Sequence, residues 1–247
     1  MSIMHPGVTP PRRARDGARP AALAGIGSAI ALFVAVASVD HPRGGSDADT
    51  QAWYRDGANR TADIASTFAL LAAGLLFLGF LVYLTSRLTA GRSDVEAGLA
   101  PRLAQHAGTL FVTMTFVTGL GNAIVRGLVV DDEPMPSTDL LRYFSQLRYV
   151  AMSGFAMPAA AVVIGCTAYV ILRDGVLPRW LGWFSAGCTV IIAAVSALLV
   201  GALTIPVLLI WILACSVVFL RTPAPAAPPA TAVDGSWLAP VGVSPIP

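Results

Sequence analysis

The polar side chains best suited to do chemistry within an apolar segment fall on one face of a predicted helix. They are Thr115, Thr118, Asn122 and Arg126, separated by three, four and four residues. That spacing places them on the same side of a helix. An amide that faced hydrocarbon would have no hydrogen-bond partner, so Asn122 is expected to point into the protein. One interpretation is a polar binding pocket that opens outward, with Arg126 at its mouth holding an anionic group. The alternative is that the amide and hydroxyls bond neighbouring helices, while the arginine reaches the membrane surface.

Asp63 is the other polar residue that comes close to an apolar run. It follows Thr61, a residue type that caps helices, and the pattern predicts it in the first turn of the next helix. A carboxylate is favoured there by the helix dipole. A second interpretation pairs Asp63 with Arg126 or Arg148, which are predicted at a similar depth.

The sequence contains no familiar catalytic or metal-binding motif. We find no H-E-x-x-H, G-x-S-x-G, phosphate-binding loop or dinucleotide fingerprint. His41 and His106 are predicted at opposite ends of their helices, which argues against a haem with two histidine ligands. The three cysteines fall within apolar runs and are predicted to be small buried residues; they are Cys166, Cys188 and Cys215. No metal and no cofactor are therefore predicted, and the lack of motifs favours a non-enzymatic protein while leaving an enzyme open.

Composition identifies the class of protein. Of the 247 residues, 55% are apolar and 12% are charged, and the mean hydropathy is +0.70. Soluble domains are about 25% charged, so this chain lacks the polar surface that a water-soluble protein needs. The net charge of +2 is too small to predict nucleic-acid binding. All sixteen basic residues are arginine, a bias that points to a GC-rich, actinobacterial or similar genome.

Six apolar runs are long enough to cross a bilayer, for which about 20 residues are needed. They cover residues 21–39, 64–84, 107–128, 150–172, 181–200 and 204–220. None alternates as a barrel strand would. The predicted fold is all-α, a polytopic membrane protein with a single bundle of six transmembrane helices over residues 21–221. Residues 1–20 and the proline-rich tail 222–247 are predicted to be disordered. A cleaved signal peptide is the competing interpretation of the first run.

Arginine placement predicts the orientation. With the N-terminus inside, ten of the sixteen arginines fall in cytoplasmic segments, namely Arg12, Arg13, Arg15, Arg19, Arg87, Arg92, Arg102, Arg173, Arg179 and Arg221. Nine of the fourteen acidic residues fall outside. Both termini are therefore predicted in the cytoplasm, and the protein in the bacterial plasma membrane.

The connections carry further helix signals. Trp53 and Tyr54 in the first external loop favour a short helix at the membrane surface. Ser137 and its neighbours are plausible caps for a short amphipathic helix before the fourth span, or for an outward extension of that span. Within that span, Gly154, Pro158, Ala161 and Gly165 form a stripe of small residues, with a kink expected at the proline.

The entry to the fifth span reads VLPRWLGW over residues 176–183. Pro178 suits a first turn, and Trp180 and Trp183 suit the membrane surface. Together with the FLVYLTSRL ending of the second span, this stretch resembles a broad group of six-span actinobacterial membrane proteins that has no established activity. The resemblance covers about residues 20–221 and implies fold and location only.

The predicted function is a non-enzymatic accessory, scaffold or sensor component of the plasma membrane. The alternative is a small transporter, or a lipid- or small-molecule-binding protein, that uses the polar face of the third span. The expected partners are the lipid bilayer and either a membrane protein or a second copy of the chain, with no nucleic acid.

Overall fold

The computed structural model describes residues 17–38, 46–90, 98–129, 136–198 and 201–221, and every regular element within these ranges is a helix. Eight are α-helices: α1 Ala18–Ala37, α2 Asp47–Arg55, α3 Gly57–Thr89, α4 Leu99–Leu128, α5 Thr138–Val150, α6 Met157–Asp174, α7 Arg179–Ala197 and α8 Ile205–Arg221. A π-helical segment, Ala151–Ala156, joins α5 to α6, and a 3-10 turn, Gly201–Thr204, precedes α8. The all-α prediction is confirmed for this part of the chain. The predicted disordered tail, the acidic Asp131–Glu133 stretch and His41 lie outside the described residues.

Among the described residues, five helical stretches are long and apolar enough to cross a membrane. They are α1, α3, α4, the continuous stretch Thr138–Asp174 and α7. Helix α8 is apolar but has only 17 residues. The 33 residues of α3 extend for about 50 Å at 1.5 Å per residue, well beyond a hydrocarbon layer of about 30 Å. These lengths support a multi-pass membrane protein whose longest helices project from the bilayer.

Side-chain caps fix where α2 and α3 begin. The Ser46 hydroxyl accepts a hydrogen bond from the Asp49 amide, and the Asp49 carboxylate accepts one from the Ser46 amide, so the two form a capping box. The Asp56 carboxylate accepts from the Ala58 amide at 2.7 Å and begins α3. The prediction that Asp63 lies in the first turn after a Thr61 cap is therefore wrong. Helix α3 starts at Gly57, six residues before Asp63, because Asp56 caps it.

The chain before the fourth span combines the two predicted arrangements, a capped short helix and an outward extension of the span. Ser137 caps α5, accepting from the Leu140 amide at 3.4 Å. The helix then continues through the π-helical segment into α6. Pro158 is the second residue of α6 and has no N–H to donate to the turn before it. The structure thus shows a wide, π-helical turn on the N-terminal side of this proline, while the kink itself stays a prediction.

The long helices form a ring in chain order. Helix α1 packs against α3, α3 against α4, α4 against α6, α6 against α7 and α7 against α8, and α8 closes the ring on α1. A Cβ atom on Gly25 of α1 would collide with the Ser216 hydroxyl of α8, so this closure requires a glycine. Helices α2 and α5 contact each other at one end of the ring, which we call the cap end.

The centre of the ring is filled by aromatic side chains. The Phe77 and Phe111 rings lie 4.8 Å apart, and the Phe80 ring lies 5.7 Å from Phe219 and 6.0 Å edge-on to Trp211. The Trp211 indole donates to Ser185 Oγ at 2.9 Å, so its buried N–H is satisfied. This aromatic core joins α3, α4, α7 and α8.

Candidate functional site at the cap end

Arg148 is a buried cation at the cap end. It lies near the end of α5, and only 5% of its surface is exposed. Gly121 of α4 provides the space, because a Cβ atom there would collide with the Arg148 side chain. A buried guanidinium is costly without hydrogen-bond and charge partners. Its partners therefore define the site.

A chain of hydrogen bonds runs from Arg148 across three further helices. Arg148 Nη1 donates to Asn122 Oδ1 on α4. Asn122 Nδ2 donates to Ser66 Oγ on α3 at 3.4 Å, and Ser66 Oγ donates to the Ala35 carbonyl of α1 at 2.9 Å. Four helices that are far apart in sequence are thereby tied together at one depth.

Asp63 supplies the opposite charge. Its Oδ1 lies 3.9 Å from Arg148 Nη1, and only 3% of the residue is exposed. One cation and one anion thus share a protein-enclosed space, so their charges balance. Asp63 and Ser66 are three residues apart, which places both on the face of α3 that meets α4 and α5.

The side chain of Tyr54, on α2, also lies beside Arg148 and Asp63. Only 5% of it is exposed, and burial raises the pKa of its phenol, while the neighbouring positive charge of Arg148 lowers the pKa by less. The phenol therefore stays neutral at ordinary pH, and it lies within hydrogen-bonding reach of the guanidinium. Together, Tyr54, Asp63, Ser66, Asn122 and Arg148 form what we call the cap-end network.

The two short helices cover this network. Arg142 of α5 pairs with Asp47 of α2 at 3.1 Å, and Gln51 Nε2 lies 3.5 Å from Thr138 Oγ1. Beneath these contacts a small apolar cluster packs Tyr54, Val125, Val129 and Leu141 together. A short helix, α2, is present where Trp53 and Tyr54 predicted one, and its buried face covers the polar network. Its position at the membrane surface stays a prediction.

The four residues predicted on one face of the third span do not all meet. Thr115 Oγ1 donates to the Phe111 carbonyl at 2.8 Å, and Thr118 Oγ1 donates to the Met114 carbonyl at 2.9 Å, both within α4. Arg126 is half-buried near the end of α4. Asn122 joins the cap-end network, and the suggested pairing of Asp63 with Arg148 is observed.

Sequence reasoning did not single out Ser66, Gly121 or the contact of Tyr54 with the arginine. Ser66 carried a usable signal, its three-residue spacing from Asp63. Gly121 could not be distinguished from the chain's other glycines, because its role depends on which side chain packs against it.

Metal ligands are not clustered in the described part of the chain, where no group of three or more histidine, cysteine or acidic side chains could hold an ion. Cys188 and Cys215 are buried, Cys166 is half-buried, and all three are free thiols. A guanidinium, a carboxylate and an amide remain as the chemistry of the site, which suits binding and charge pairing.

Comparison of the chain with protein-family models, with curated proteins and with solved structures gives no match.

Proposed function

We propose that this chain is a six-span protein of the bacterial plasma membrane, with both termini in the cytoplasm, acting as a non-enzymatic accessory, scaffold or sensor component. The observation that carries the proposal is the closed cap-end network. Asn122, Asp63 and Arg148 engage one another inside the bundle, and the two threonines of the same α4 face bond to their own helix. Polar groups used in this way hold helices together.

Helix α8 is taken as the sixth span because of its length and packing. Its 17 residues lie at the lower end of the range of about 17–25 that cross a bilayer. It packs against α1 and α7 like the other members of the ring. Because its neighbours α1 and α7 are taken to cross the bilayer, α8 is taken to cross it with them.

Charge supports the orientation. Among the described residues, the end opposite the cap holds six arginines and one aspartate: Arg19, Arg87, Arg102, Arg173, Arg179, Arg221 and Asp174. The cap end holds five aspartates and five arginines, which are Asp47, Asp49, Asp56, Asp63, Asp139, Arg55, Arg60, Arg126, Arg142 and Arg148. Its charges therefore balance, whereas the opposite end carries a net positive charge. The positive-inside rule assigns the arginine-rich end to the cytoplasm. The likeness of the VLPRWLGW entry to six-span actinobacterial proteins supports the same membrane.

Purification tests the accessory role. The tagged full chain is isolated from native membranes in a mild detergent, and everything that accompanies it is quantified by mass spectrometry. We expect one membrane protein, or a second copy of the chain, in stoichiometric amount. A matched preparation that lacks residues 222–247 asks whether the tail holds the partner. Recovery of the chain as a monomer with no stoichiometric protein would overturn the proposal.

A second candidate function is a small transporter or small-molecule-binding protein. A buried guanidinium beside an amide favours it, because these groups hold anionic ligands when the bundle opens. Asn122→Leu separates the two candidates, with Thr113→Val, at an exposed threonine of the same helix, as the matched control. Loss of ligand binding or transport with unchanged folding supports the second candidate. Loss of stability alone supports the first.

A further inference from the structure

An open groove runs along the outside of the bundle between α6 and α7. Its volume is about 520 Å³, and it is lined mainly by small and apolar side chains, including Pro158, Ala161, Gly165, Thr189, Ala193 and Ser196. The stripe of small residues expected on the fourth span thus contributes one wall. The groove faces the surroundings of the protein, so in a membrane its contents come from the lipid.

The groove occupies one half of the bilayer. The two helices approach closely at Gly165, where an added Cβ atom would lie 3.2 Å from Thr189. From there the groove extends to Pro158 on α6 and to Ala197 on α7, both towards the cap end. Seven or eight helical residues rise about 10–12 Å, whereas the full hydrocarbon layer is about 30 Å thick. A single leaflet therefore spans its whole length.

Ser196 supplies a polar group at the cap end of the groove. Only 6% of it is exposed, and within the described ranges its Oγ has no hydrogen-bond partner. Most hydroxyls in the bundle instead donate to a carbonyl one turn earlier, as Thr189 does to Ser185 at 2.9 Å. Ser196 lies one residue before the end of α7, near the border of the hydrocarbon layer. The ester carbonyls of membrane lipids lie at that border.

We propose that the groove binds one acyl chain of a diacyl phospholipid from the cap-end leaflet, and that Ser196 donates a hydrogen bond to the ester carbonyl of that chain. The chain fills the space between the small side chains, which neither α6 nor α7 fills. The ester supplies the acceptor that the buried hydroxyl lacks.

A helix from a second copy fits the groove less well. Such a helix would have to continue through the other leaflet along the same face of α6. Tyr169 lies on that face, four residues after Gly165, and 54% of it is exposed. Its ring interrupts the smooth stripe one helical turn beyond Gly165. An acyl chain that ends before Tyr169 would not clash with its ring.

Photo-labelling tests the proposal. The full chain is reconstituted in phosphatidylethanolamine–phosphatidylglycerol vesicles that contain phosphatidylglycerol with a diazirine in one acyl chain, and labelled peptides are mapped by mass spectrometry. We expect labelling to concentrate on Val162, Cys166 and Ala193. Ala193→Phe fills the groove from an exposed position and should reduce this labelling to the level of the other helices. Ala72→Phe, at an exposed alanine in the middle of α3, should leave it unchanged.

The ester contact has its own test. A diazirine lipid with an ether linkage lacks the carbonyl, so the wild-type groove should take up the ester lipid about fivefold more, as one neutral hydrogen bond predicts. Ser196→Ala should remove this preference. Ser38→Ala, at the same end of the bundle but outside the groove, should keep it.

Three results would overturn the proposal. The first is uniform labelling of all lipid-facing helices. The second is equal uptake of ester and ether lipids by the wild-type chain. The third is a cross-linked dimer that Ala193→Phe abolishes while lipid labelling persists, which would assign the groove to a second copy. Gel filtration and helical circular dichroism establish that each variant folds, and Ala193→Leu replaces Ala193→Phe if the larger side chain prevents folding.

Discussion

The aromatic core and the cap-end network hold the same bundle together by different physics. In the core, Phe77, Phe80 and Trp211 fit by shape, and the one polar group of these side chains is satisfied by Ser185. In the network, Asp63 and Arg148 are held by charge and hydrogen bonds. Lipid tails are as apolar as phenylalanine, so an apolar core in a membrane gains little from leaving its solvent. The polar groups of the network would lose their hydrogen-bond and charge partners if the helices separated into lipid. The network is therefore the stronger constraint on which helices meet.

The first prediction removes one charge from the network. Asp63→Ala leaves the Arg148 guanidinium buried without its counter-charge, and we expect it to lower the free energy of unfolding by about 3 kcal/mol. The double variant Asp63→Leu with Arg148→Met should lose clearly less, because no charge remains unpaired. An SDS titration followed by circular dichroism measures both. Asp47→Ala, which breaks the exposed pair with Arg142, is the control and should change stability little.

The second prediction tests the core by the same titration. Phe80→Ala leaves a cavity between α3 and α8, and we expect a loss of about 2 kcal/mol. The loss of stability should be smaller than that of Asp63→Ala. In a membrane the cavity lowers the stability, but no free energy of transfer from water is lost with the phenylalanine side chain. Phe68→Ala, on the same helix but 66% exposed, should have little effect. If Phe80→Ala cost more than Asp63→Ala, the comparison between the two regions would be reversed.

The third prediction concerns the fit of the arginine. Gly121→Ala puts a methyl group where the Arg148 side chain lies, so either α4 or the arginine must shift. We expect a loss of about 1 kcal/mol, together with a weaker coupling between Asp63 and Arg148 in a double-mutant cycle. Gly127→Ala lies on the same helix, with nothing within 4 Å of the added carbon. Because alanine favours a helix more than glycine does, Gly127→Ala should not lose stability. Equal losses from the two variants would contradict the assignment of the loss to the contact with Arg148.

The smallest effect is expected at alkaline pH. Burial raises the pKa of Tyr54, so the folded protein favours the neutral phenol. The stability that this gives is present below the ordinary tyrosine pKa of about 10 and is lost as pH rises further. Tyr54→Phe should reduce this loss, whereas Tyr143→Phe, at an exposed tyrosine of α5, should retain it. The measurement is thermal unfolding between neutral pH and pH 11, and a profile that Tyr54→Phe leaves unchanged would contradict the assignment.

Helix type and approximate position were predictable from the sequence, because runs of about 20 apolar residues have few other uses. The starts of α3 and α4 were not, since both helices extend into polar sequence: Gly57–Ala62 and Leu99–His106 are helical although the apolar runs begin later. Hydropathy detects the membrane, whereas caps such as Asp56 determine where a helix begins.

The candidate site was predictable only in part. The position of Asn122 inside the bundle follows from the cost of an unpaired amide in hydrocarbon, and the structure places it there. Which side chain meets Asn122 depends on the rotation of α5 about its own axis. No spacing within α4 contains that information, so Arg148 could be named as one partner for Asp63 but not chosen over Arg126.

The wide turn Ala151–Ala156 sets that rotation. A π-helical turn holds about one residue more than an α-helical turn, and one residue corresponds to about 100° around a helix. The side chains of α5 are therefore rotated about the helix axis relative to those of α6. Without that extra residue, α6 could keep its face on α4 and α7 while Arg148 swung towards the lipid. The π-helical turn thus adjusts the angle between the two parts of one continuous helix. The part after the turn presents an apolar face within the membrane, and the part before it directs Arg148 into the cap end of the bundle.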